Sequence, residues 1–396
     1  MPQLFNFDQP IERRNTRSVK WDEEKADVLP LWVADMDFAT APCVQQAIVQ
    51  RAMHPCYGYT LVPDEYYQAI INWFWSRHQW HIHREEILYT IGVIPAIAAI
   101  LKAHTQLGDN VVILSPVYNC FYNLIRNAGC QAIDVPLLGE SEGQTLSFSI
   151  DWAALENALS QEKTTVLLLS NPHNPVGRIW TAEELERLGT LSKKYGVLVI
   201  SDEIHNELSC PGKLYVPAAP VFEALTEKPL YVICTSPSKS FNTAGLQNAN
   251  LMIPDAELRR RVDRAINLNE TCDVNPFGVE GTIAAYNEGL PWLESLCKYI
   301  WSNYAFALKY LGKELPQIKI ADLQATYLMW VDYRAYTSMK SQEMSRRLIE
   351  EAKVWFAAGS GYGAAGEGFL RINLATTREI LTEALTRFVT WVKTNC

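Results

Sequence analysis

Thr235-Ser236-Pro237-Ser238-Lys239-Ser240-Phe241-Asn242 closes the apolar, β-branched run Leu230 to Thr235 with a cluster of hydroxyls around one lysine. Two more runs end in the same way. Thr164 to Ser170 leads into Asn171-Pro172-His173-Asn174-Pro175-Val176-Gly177, and Val197 to Ser201 leads into Asp202-Glu203-Ile204-His205. With Asn110 to Leu114 these runs alternate with stretches of helical period between residues 85 and 250, the pattern of a mostly parallel sheet flanked by helices. Ligands of open α/β sheets bind at the carboxyl ends of strands, so the three clusters could converge on one site.

Thr181-Ala182-Glu183-Glu184 is a capping box opening a helix to about Tyr195, and Gly196 stops it before the next strand. Downstream, Pro254 to Asn267 and Pro291 to Leu311 have helical period. Ile318 to Tyr333 reads as two short strands, and Thr376 to Lys393 as a closing amphipathic helix. The expected organisation is therefore α/β: a large domain over 46–285, and a smaller α+β domain built from 1–45 and 286–396. The boundary is expected within a continuous helix near residues 275 to 295.

Composition narrows the function. A chain of 396 residues, 48% hydrophobic and 20% charged, can bury a large core. Its net charge of −9 disfavours nucleic acid and anionic membrane, and the basic run Arg259-Arg260-Arg261 is short. Met1 to Arg14 is charged and polar where a leader would be apolar, so the expected compartment is the cytoplasm. Ile91 to Leu101 is broken by Gly92 and Pro95 and too short to cross a bilayer. The nine cysteines form no C-x-x-C pair, which argues against a disulfide framework or a cysteine zinc site. His81-Ile82-His83 would point two imidazoles to one side of a strand but has no third ligand nearby in sequence. A solvated turn is preferred there, and no metal is expected.

Each polar cluster alone has an ordinary explanation: a turn, a helix cap, a solvated lysine. Together they supply a lysine for a Schiff base, a carboxylate for a ring nitrogen and an amide for a ring oxygen, the parts a pyridoxal phosphate site needs. In this order they resemble the fold-type I pyridoxal phosphate enzymes, the aspartate aminotransferase superfamily, over essentially the whole chain. Leu31-Trp32-Val33-Ala34-Asp35-Met36-Asp37-Phe38, Tyr57-Gly58-Tyr59-Thr60 and Phe369-Leu370-Arg371-Ile372-Asn373 are similar to its cystathionine beta-lyase, or carbon–sulfur lyase, branch.

The resemblance implies a PLP-dependent transferase-like fold, pyridoxal 5'-phosphate as cofactor and an amino acid as substrate. It makes Lys239 the cofactor-bearing lysine and the base for the Cα proton. Asp202 becomes the partner of the ring nitrogen, and Asn174 the donor to the ring oxygen. His205 stands where many aminotransferases place a tyrosine to that oxygen, so its role is either there or one layer behind. Tyr118 stacks on the ring, or else is a core tyrosine. Gly92, Val93 and Ile94 precede an apolar helix expected to begin near Pro95, and with Ser236 and Ser238 they would cradle the phosphate. Gln247 stands where the superfamily often has a phosphate-binding arginine.

Arg371 would clamp the substrate carboxylate by a bidentate pair, or else form a surface salt bridge. Ala34 and Asp35 would pass over the site and offer a backbone amide. Tyr59 would act from a neighbouring subunit, which implies a homodimer with shared active sites. The implied reaction is β-elimination from L-cystathionine, L-cysteine or a cysteine S-conjugate, with no nucleic-acid or membrane partner. An aminotransferase, and a regulatory protein retaining the fold, are the alternatives.

Overall fold

The computed structural model describes residues 5–226, 230–268 and 272–396; Met1 to Leu4, part of the stretch read for a leader, lie outside them. Seven strands form the main sheet. Its spatial order is Ile87–Thr90, Ala249–Met252, Tyr231–Thr235, Leu198–Asp202, Thr164–Ser170, Asn110–Ser115 and Gln131–Pro136. Ala249–Met252 runs antiparallel to both neighbours and the other pairings are parallel.

The near-continuous apolar runs follow from burial on both faces. Val112, Leu114, Leu167 and Leu169 enter one core, while Val111, Ile113, Val166 and Leu168 enter the core on the opposite face, with the two-residue period of a strand. Burying one such side chain contributes about 1.5–3 kcal/mol, so a one-residue register slip that exchanges the two sets is strongly disfavoured.

Ser170 pairs with Asp202, and Asp202 with Cys234. The three polar clusters therefore leave adjacent strands at the same carboxyl edge. The helix Ala182–Tyr195 has both capping-box bonds, and Gly196 ends it in the left-handed region at φ 67°, which glycine enters without a Cβ penalty.

A second sheet orders Ala357–Ala358, Phe369–Asn373, Leu328–Asp332, Lys319–Ala321, Thr145–Ser149 and Leu138–Glu142. A third core joins it to the helices Leu290–Glu314 and Arg378–Asn395. Its last two strands come from inside the 46–285 range expected of the large domain, so sheet membership does not follow that division. The helix expected to be continuous near 275–295 is two helices, Pro276–Glu288 and Leu290–Glu314. At Gly289 a Cβ would stand 2.4 Å from the Phe241 ring and 2.5 Å from the Ala285 carbonyl oxygen, and Pro291 in the next turn has no N–H to continue the ladder. The short strand Leu29–Pro30 pairs in parallel with Val354–Trp355, drawing the N-terminal segment across the molecule.

Candidate active site

A cavity of about 190 Å3 opens at the carboxyl edge of the main sheet, lined by residues from all three clusters. Lys239, Asp202, Asn174 and Tyr118 line it together with His205, Ser236 and Ser238, and Gly92, Val93 and Ile94 form another wall. Ala34 comes from the N-terminal segment. Residues separated by more than two hundred positions thus share one small space.

Its polar groups are sparsely bonded. The buried Asp202 carboxylate accepts one hydrogen bond among the described residues, 3.2 Å from the Ile204 N–H. Burial pushes its pKa up to about 7 against the pull of that N–H and of Lys239, and Glu203 next to it pushes the same way. Lys239 Nζ donates to the Ala34 carbonyl oxygen at 2.7 Å. Burial, then the nearby Arg371 guanidinium, lowers its pKa to about 8 against Asp35 and Asp202. His205 is buried with Nδ1 unpartnered. Burial, followed by Lys239 and Arg371, holds it well below the usual histidine range, so it is neutral at pH 7. Burial likewise raises the Tyr118 phenol.

Arg371, 5% exposed, projects from Phe369–Asn373 and faces no carboxylate within ion-pairing distance among the described residues. Its guanidinium donates to the Asn174 side-chain oxygen at 3.2 Å and to the Trp32 carbonyl at 2.8 Å, and lies 4.8 Å from the centre of the Tyr362 ring. The surface salt-bridge alternative for this residue does not hold.

The helix on the Gly92 side, Val93–His104, begins two residues before the expected Pro95. Its first backbone N–H groups have no intrahelical acceptor, by the geometry of any helix start. Of the two serines, Ser236 is engaged internally: its hydroxyl donates to the Asn248 carbonyl at 2.6 Å and accepts from the Ser238 N–H at 3.1 Å. Gln247 lines the same cavity.

The segment Trp32 to Phe38 forms a ceiling, fixed by contacts that no local sequence signal announces. Asn373 donates to the carbonyls of Val33 at 2.7 Å and Asp35 at 2.6 Å, and the Tyr327 hydroxyl donates to Ala34 at 2.9 Å. Asn242 accepts from the Met36 N–H and donates to the carbonyls of Met36 and Phe38. The Asp35 side chain is not among the residues lining the cavity and pairs with Arg13 at 2.8 Å. Beneath it Lys20, fully buried, pairs with Asp37 at 2.9 Å.

Two expected features lie elsewhere. Tyr59 is 97% exposed and is not among the residues lining the cavity of its own chain. His81 and His83 sit in a non-strand segment, with His81 packed on Trp75 at 3.9 Å between ring centres. Among the described residues no group of three metal-ligating side chains occurs, and no helix is long and apolar enough to cross a membrane.

Known proteins resemble this chain over nearly its whole length. The chain is 38% identical to cystathionine beta-lyase PatB of Bacillus subtilis over 97% of its own length and 98% of that protein. Cystalysin from Treponema denticola, solved with a pyridoxal 5'-phosphate cofactor, superposes with a TM-score of 0.93 at 32% identity, covering 99% of each chain. The PLP-bound C–S lyase from Staphylococcus hominis superposes at 0.91 with 29% identity over 98% of each. The profile of aminotransferase class I and II matches residues 26–388, and the chain belongs to that family.

Proposed function

We propose that this protein binds pyridoxal 5'-phosphate and is a carbon–sulfur β-lyase, releasing a thiol, pyruvate and ammonia from L-cystathionine or related cysteine S-conjugates, L-cysteine included. The observation that carries this reading is the meeting of Lys239 and Asp202 in one cavity, each short of partners, with Arg371 bonded at 3.2 Å to the lining residue Asn174 and paired with no carboxylate among the described residues. Buried charges left in that state are costly unless a ligand completes them. The donor set suits the cofactor: a carboxylate for the ring nitrogen, the Asn174 amide near the ring oxygen, a flat phenol to stack, and helix-terminal amides with Ser238 for the phosphate. When bound, the cofactor supplies an electron sink beside the substrate Cα.

The chain's own residues do the rest. Arg371 offers a guanidinium fork for the substrate carboxylate, and the Trp32 carbonyl and Asn174 oxygen hold the fork in place. Lys239, with its pKa lowered to about 8, has a substantial neutral fraction near physiological pH. Its Nζ can then take the Cα proton as a general base. Asp202 supplies the negative charge that keeps a ring nitrogen protonated, and the gain in pairing opposes the burial that raises its own pKa. Ala34, from the segment Trp32 to Phe38, covers one side of the cavity in which these groups meet.

Tyr59 belongs to this reading as a contribution to a second copy. It stands exposed near Val49, Met53, Tyr57 and Leu61 in sequence, all large apolar side chains open to solvent, and an assembly of two chains would bring it to the phosphate end of the neighbouring cavity. Sedimentation analysis of wild type and Tyr59→Phe tests the dimer and the residue separately.

The functional test is incubation with L-cystathionine in the absence of any keto acid, following pyruvate and thiol. Their formation in step, and their loss in Lys239→Ala, is the expected result. A cofactor spectrum that shifts to the amine form without pyruvate assigns an aminotransferase instead. A bound cofactor with no turnover of either kind points to a regulatory protein.

A further inference from the structure

Behind the turn that carries Asp202 lies a second cavity, of about 490 Å3, within the range of about 300–1,000 Å3 common for small-ligand pockets. One stretch of chain separates the two spaces. Asp202, Ile204 and His205 line the cofactor cavity, whereas Asn206, Glu207 and Ser209 line the second. Consecutive tight turns hold that stretch, with the Asn206 N–H donating to the Glu203 carbonyl at 3.1 Å and the Leu208 N–H to that of His205 at 3.0 Å.

Some of the polar lining is plainly structural. Glu207 accepts from Trp73 Nε1 at 2.8 Å and from Arg77 at 3.2 Å, with His78 Nε2 at 2.7 Å. Other groups have no such explanation. Asn206 lines the cavity with a carboxamide that bonds to no described residue and is not sealed from solvent. The Ser209 hydroxyl is buried and likewise unpartnered. Buried polar groups in native proteins are nearly always bonded, and the exceptions call for a ligand or water. Lys213 and Lys298 also line the cavity and form no ion pair among the described residues. Arg77, Lys213 and Lys298 face two carboxylates, Glu207 and Glu294; Glu207 is saturated, and Glu294 is held loosely to Arg77 at 3.9 Å.

We propose that this cavity is a second ligand site, which takes a small organic dicarboxylate. The two lysine ammonium groups meet its charges, the Asn206 amide and Ser209 hydroxyl donate to its oxygens, and the apolar parts of Leu293 and Cys297 cover its carbon chain. The site is independent of the reaction assigned to the first cavity, although the shared turn places its occupant one residue from His205.

Titration calorimetry on the cofactor-loaded protein tests this, with succinate as probe and succinamide as its uncharged counterpart. Succinate is expected to bind and succinamide to give no heat. Binding should persist in Arg371→Ala, which removes the carboxylate clamp proposed beside the first cavity. It should weaken by at least about tenfold in the Lys213→Glu/Lys298→Glu double variant, whose changes lie at exposed positions, and also in Asn206→Leu. Absence of succinate binding overturns the proposal. So does binding that disappears in Arg371→Ala and survives in the lysine double variant, because that ligand sits in the cofactor cavity.

Discussion

Asp202 and Glu203 are neighbours in sequence, both buried, and opposite in circumstance. Glu203 receives hydrogen bonds from Asn171 at 3.1 Å, Ser201 at 2.8 Å and the Ala218 N–H at 3.2 Å, and from the Tyr215 hydroxyl. Asp202 receives one. Burial raises the pKa of both, to about 6 for Glu203 and about 7 for Asp202, but only Glu203 has protein side chains drawing it back down by hydrogen bonding. A fully bonded buried carboxylate organises the fold. One left short of donors is set up for a partner the chain does not supply, and under-bonding therefore separates site from scaffold better than burial does.

That contrast can be broken in several ways. The largest effect is expected at Lys239→Ala, where pyruvate release should fall by about 10^3-fold or more, since the base and the point of attachment are lost together. Next, Asp202→Asn should lower the rate by about 10^2-fold while the melting temperature of the folded protein changes little. Glu203→Gln should do the reverse, costing about 2–3 kcal/mol of stability because an amide N–H2 would face donors, with cofactor absorbance retained in the fraction that stays folded. Paired denaturation and rate measurements on these two variants test the comparison directly; a rate loss in Glu203→Gln as large as that in Asp202→Asn would defeat it.

Arg371→Lys is expected to raise KM by about tenfold or more, because an ammonium cannot reproduce the fork. The effect should appear in KM more than in kcat when cystathionine is titrated. The smallest effect concerns pH in protein stripped of cofactor. The folded pKa of Asp202 is raised to about 7, so between the ordinary carboxylate range and about 7 the folded state holds a proton that the unfolded chain has released. Its contribution to stability is present at acid pH and is lost as pH rises through that window. The stability of wild type relative to Asp202→Asn should therefore fall between pH 4 and pH 7, read by chemical denaturation. A difference that stays flat would show that Asp202 is already ionised at pH 4 in the folded protein.

Much of this was legible in the chain. The apolar strands, the capping box at Thr181 and the clusters around Asn174, Asp202 and Lys239 are local patterns, each readable within about ten residues because helix and strand periods and turn chemistry act over that distance. The carboxyl-edge rule then implies that the three clusters can converge on one site.

What could not be read this way depends on partners remote in sequence. The hairpin strand Leu138–Glu142 is exposed along its whole length, so it carries no apolar alternation. Backbone hydrogen bonds, which any sequence can make, join it through Thr145–Ser149 to the second sheet. The ceiling from Trp32 to Phe38 depends on Asn242, Tyr327 and Asn373, and the direction of the Asp35 side chain depends on Arg13. The residue types for the chemistry were thus determined by the sequence alone, because they are written into short motifs. Which polar groups end up saturated and which remain open was decided only by the tertiary structure, because a hydrogen-bond count belongs to the space around a residue and not to its neighbours in the chain.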